Sequence, residues 1–181
     1  MNLDRHPAGE SIHFLKQGIE LIGQLDDRLF TQCPGGPFRG GAGSQFRHCL
    51  DFYSSLLAGL PGGRIDYSAR ERDSRLETER DHAIRTTESL IDRLLELRPE
   101  QLATSLQVRA DFPTLGDEGD AWSGSTLHRE LQFLLSHTVH HYALIASLLK
   151  PQGFDVAEQF PDFGVAPSTL AHWKQADLAE V

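Results

Sequence analysis

In Ser136-His137-Thr138-Val139-His140-His141, His137 and His141 stand four residues apart. On an α-helix that spacing puts their Cβ atoms on one face about 6 Å apart, so two imidazoles can share one metal ion. His140 turns toward solvent. The competing reading is a pair of groove-lining histidines hydrogen-bonded to their neighbours. Thr138 stands where an H-E-x-x-H metalloprotease carries its glutamate base, so peptidase chemistry of that type is set aside. Two ligands do not make a site, and His13, His48, His82, His128 and Glu130 are the candidates for a third. Glu130 precedes His137 by about 10 Å of helix rise, and His128 is farther still. His48 falls on the margin of an apolar stripe, where periodicity leaves it exposed, so the spacing does not choose among them.

The elements that must position these residues read as helices. Leu dominates the apolar residues while Val and Ile are few, a balance that favours helix over strand. Ile12, Leu15, Ile19, Ile22, Leu25 and Leu29 recur at three- and four-residue steps and predict a helix over about 10–32. Gly40-Gly41-Ala42-Gly43 follows no strand and precedes no G-K-[ST], so it reads as a loop and not as a phosphate cradle. With Ser44 as N-cap, Phe46, Cys49, Leu50, Tyr53, Leu56 and Leu57 predict a second helix over about 44–60. A third, over about 70–98, turns Ile84, Ile91, Leu94 and Leu97 inward under a charged face. The fourth, over about 126–150, starts at Ser125 or Thr126 and ends at Pro151.

Between the last two helices the helical period lapses. Leu106–Asp111 and Asp120–Trp122, around Gly116–Gly119, predict a short β-hairpin. The tail from Gln152 carries enough Phe and Trp to dock on the helices, with a short helix near 168–178. The predicted class is therefore all-α, one domain over 1–181, a four-helix bundle with cofactor sites built between facing helices.

The formal net charge of −9 over 181 residues argues against nucleic acid or an anionic membrane as partner, since both need excess Lys and Arg. The expected partner is a small molecule or another protein. The polar start and the lack of a long apolar run point to a cytoplasmic protein. Cys33 and Cys49 fit free thiols in a reducing compartment.

Phe46-Arg47-His48-Cys49-Leu50-Asp51-Phe52-Tyr53, together with the stretch from Arg129 to His141, resembles the DinB/YfiT-like family of metal-dependent four-helix-bundle proteins. Ile65-Asp66-Tyr67 with Arg70-Glu71-Arg72-Asp73, and Phe163–Leu170, resemble one of its subgroups. The resemblance implies that His48 joins His137 and His141 around one divalent ion, with Zn, Ni and Fe all compatible with imidazole. Three neutral imidazoles leave an open coordination position, where bound water can lose a proton near neutral pH. The resemblance also implies a low-molecular-weight thiol as co-substrate of a transferase, or a hydrolase, and a homodimer. Phe52 and Phe133, off the main stripes, look exposed enough to join a dimer interface. Asp51 is a candidate to orient a histidine ligand. Tyr67, Arg70 and Arg72 are candidates to line a pocket mouth and hold an anionic substrate. No catalytic residue is assigned, and the alternative is a non-catalytic binding protein without a working metal site.

Overall fold

The computed structural model describes residues 3–35, 40–109 and 122–179. The helices are α1 (Gly9–Gln24), α2 (Asp27–Thr31), α3 (Ala42–Gly59), α4 (Arg75–Thr78), α5 (Arg80–Leu95), α6 (Leu127–Leu149), α7 (Val156–Gln159) and α8 (Pro167–Ala179). Strands β1 (Arg64–Asp66), β2 (Ser105–Arg109) and β3 (Trp122–Thr126) complete a mainly helical protein. Among the described residues no helix is long and apolar enough to cross a membrane.

The four long helices pack as two crossed pairs, α3 against α6 and α5, and α1 against the same two. Each contact buries an apolar stripe. On α3 it is Phe46, Cys49, Leu50, Tyr53, Leu56 and Leu57; on α6 it is Leu127, Leu131, Leu134, Tyr142, Ile145 and Leu149. Burying one large side chain of this kind stabilises the fold by about 1.5–3 kcal/mol, far more than a helix cap, so these stripes decide how the helices meet. Gly18 sits where α1 meets α6, and a Cβ there would lie 2.2 Å from the Tyr142 hydroxyl.

Three predicted helix boundaries need correction. The helix expected over 10–32 is two, because Asp26 is extended and its carboxylate accepts from Leu29 N at 2.6 Å, starting α2 afresh. The one expected over 70–98 is also broken. Residues 70–74 lie outside any helix, and Glu79 is extended between α4 and α5. There Asp73 takes the Arg75 guanidinium that an i,i+4 pairing would have given to Glu71 or Glu79. Helix α3 begins at Ala42, two residues before Ser44, with Gly41 at the N-cap.

The hairpin exists as β2 and β3, antiparallel with Leu106 opposite Ser125; its proposed turn lies outside the described residues. The sheet order is β1-β2-β3, and β1 adds in parallel through Ile65 and Val108. A three-residue strand is too short to show a period, so β1 escaped the sequence reading.

The tail docks only in part. Phe163 stacks on Tyr142 with centroids 4.4 Å apart, and Val156 is buried. Gly164, at φ +72°, brings the chain so near α6 that a Cβ would meet Ala143 N at 2.6 Å. Trp173, expected to be packed, is 50% exposed, because α8 segregates no apolar face.

Candidate metal centre

His48 comes from α3, while His137 and His141 come from one face of α6. The packing of α3 on α6 brings one ligating nitrogen from each to within 4.8 Å of the others, close enough to hold a metal ion. All three are half-buried. The His137 and His141 Nε2 atoms are 3.2 Å apart. Two nitrogens each about 2.0–2.1 Å from one zinc ion stand roughly 3 to 3.4 Å apart, so this pair is already spaced for a shared ion. His48 centres its ring 4.9 Å from His137 and 4.6 Å from His141. The stripe margin that periodicity read as exposed is covered by α6. His140 is exposed, as its position on the helix requires.

The other candidate ligands are engaged elsewhere. His13 is bonded to Gln17, His82 Nε2 lies 3.0 Å from Asp73, and His128 lines a separate cavity of about 270 Å³ with His6 and Glu10. Glu130 is buried and accepts from Tyr67 Oη at 2.9 Å and Ser125 Oγ at 2.5 Å. Cys49, next to His48, is buried, and burial pushes its thiol far up.

Gln45, which sequence reading missed, accepts from His141 Nδ1 at 2.7 Å. It precedes His48 by three residues on the same face of α3, and that spacing is the signal that could have found it. Gln45 also lines a cleft of about 530 Å³ with Thr31, Ser44, Arg47 and Glu77. Burial holds the pKa of His141 down at about 4, helped by His137 and His140, so the ring is neutral and able to ligate at pH 7.

Asp51, the candidate to orient a histidine ligand, is buried. Desolvation raises its pKa, and Arg47, Arg70 and Arg72 pull it back down. Its carboxylate stands 4.0 Å from Arg47, which bonds Glu77 more closely at 3.0 Å. Tyr67 and Arg70 are both buried and do not line a mouth. Tyr67 stacks on Phe52, the Arg70 guanidinium lies 4.4 Å from the centre of the Phe52 ring, and Arg70 donates to the Tyr67 carbonyl. Arg72 adopts φ +55°, the left-handed region. Phe52, expected to be exposed, is buried with its ring 4.4 Å from His137, and Phe133 is half-buried beside the same histidine. These aromatic rings line the centre on the His137 side.

No family model, curated protein or solved structure matches the chain.

Proposed function

We propose that the protein is a metal-dependent enzyme of the DinB/YfiT-like type, a four-helix bundle that binds one divalent ion through His48, His137 and His141. The observation that carries this is the convergence of three imidazole nitrogens from two helices within 4.8 Å. A purely neutral nitrogen donor set leaves the ion its full charge and open positions, as in catalytic zinc sites. The ion is Zn, Ni or Fe, all of which accept imidazole. When bound, it supplies Lewis acidity, lowering the pKa of whatever occupies its open position.

The chain's own residues supply the rest. His48, His137 and His141 hold the ion as neutral rings, Phe52 and Phe133 line the centre on the His137 side, and the cleft beside Gln45 offers room for a small-molecule substrate. The reaction proposed is transfer to a low-molecular-weight thiol, or hydrolysis, in a cytoplasmic homodimer. Metal analysis of untagged protein, followed by a thiol-dependent turnover assay, tests this; about one ion per chain is expected.

A second reading has an observation in its favour. His141 is already hydrogen-bonded to both Gln45 and His137, as in a non-catalytic helical protein whose histidines only satisfy one another. Folded protein that stays metal-free in the presence of micromolar zinc would select this reading.

A further inference from the structure

We propose that Gln45 is a positioning residue that fixes which nitrogen His141 presents to the metal. The inference rests on the metal reading above and adds a residue that no ligand motif contains. An imidazole has one donor and one acceptor nitrogen when neutral, and the partner of one decides the role of the other. The Gln45 carbonyl oxygen lies 2.7 Å from His141 Nδ1 and can only accept, so Nδ1 carries the hydrogen and Nε2 carries the lone pair. That lone pair faces His137 Nε2 at 3.2 Å, in the space where the ligating nitrogens converge. Without metal, His137 Nε2–H can donate to it; to hold an ion through Nε2, His137 would have to give up that hydrogen and carry one on Nδ1 instead.

Position and rigidity support the assignment. Gln45 lies in the first turn of α3 and His48 one turn on, so a single rigid element supplies both a ligand and the partner of a second ligand. The uncharged acceptor also matters. A carboxylate there would push electron density through the ring and strengthen the ligand, whereas an amide orients it and leaves the ion more acidic.

The test uses the full-length protein and two readouts. In metal-free protein, side-chain nitrogen NMR of the histidines reports the tautomer of His141; wild type is expected as Nδ1–H. In Gln45→Met, of similar size but with no acceptor, the Nδ1–H population should fall, and zinc affinity measured by competition with a chromogenic chelator should weaken about 10–100-fold. Gln45→Glu should restore the tautomer and bind zinc at least as tightly as wild type. An unchanged tautomer or unchanged zinc affinity in Gln45→Met overturns the proposal. Wild-type protein that holds no zinc overturns the metal reading instead, while the tautomer comparison still decides whether Gln45 orients His141.

Discussion

Seven residues apart on α6, Glu130 and His137 belong to two polar clusters at different stages of completion. Glu130 is 5% exposed, and both carboxylate oxygens accept hydrogen bonds, one from Tyr67 and one from Ser125. Tyr67 gives up its only hydroxyl proton to that bond, and burial followed by the Glu130 charge drives its pKa far up. The cluster around His137 is half-buried, draws on three imidazoles, and points their nitrogens at a common space. The Glu130 carboxylate, with a hydrogen bond on each oxygen, joins α6 to β3 and to the residue that follows β1. The three imidazoles each bring one nitrogen to within 4.8 Å of the others, close enough for one ion to reach them all. The number of polar residues does not distinguish the two clusters; the convergence of three possible ligand atoms at one of them does.

The largest expected effect separates the clusters through metal binding. His48→Ala, His137→Ala and His141→Ala should each lose bound metal by more than the 10–100-fold expected for an outer partner, while His140→Ala and Glu130→Gln keep it. Equal loss in His140→Ala, read by metal analysis, would erase the distinction. Stability should show the reverse pattern. Glu130→Ala leaves the Tyr67 hydroxyl buried without its acceptor, and urea unfolding should show a loss of about 3 kcal/mol; a loss under 1 kcal/mol would mean that the two bonds do not hold the sheet to α6.

A third measurement uses the far side of α6, where Tyr142 follows His141. Phe163→Ala removes a buried ring stacked on Tyr142 and should cost about 3 kcal/mol with metal affinity unchanged. Trp173→Ala, at an exposed position, should cost less than about 0.5 kcal/mol. Comparable losses in the two variants would show that the tail docks along its whole length.

The last effect is in pH. The folded protein holds His141 at about 4 against an ordinary 6.5, so between these values the unfolded chain binds a proton that the folded chain refuses. This contribution to the stability of metal-free protein is full above pH 6.5, declines as pH falls toward 4, and is gone below that. Chemical denaturation from pH 7 to pH 4 should show the decline, and His141→Asn should flatten it. Parallel slopes in the two proteins would place the titration elsewhere.

What the sequence determined by itself was what repeats at helical spacing. The apolar stripes of α1, α3, α5 and α6, the shared face of His137 and His141, and the outward His140 all follow from 3.6 residues per turn. Breaks set by single residues were not legible. An extended Asp26 or Glu79 interrupts a stripe without altering its pattern, because capping and local ion pairing act over one or two residues. Spacing could not decide the third histidine; the family resemblance named His48, and the packing of α3 on α6 brings it close to the other two. His48 stands at the margin of its stripe, and whether a margin faces water or a partner depends on which helix packs there and at what height. The same holds for Phe52 and Tyr67, whose neighbours His137 and Glu130 lie far away in sequence. A periodic pattern reports the direction in which a side chain points, but the identity of what it meets is settled by long-range packing that no local spacing encodes.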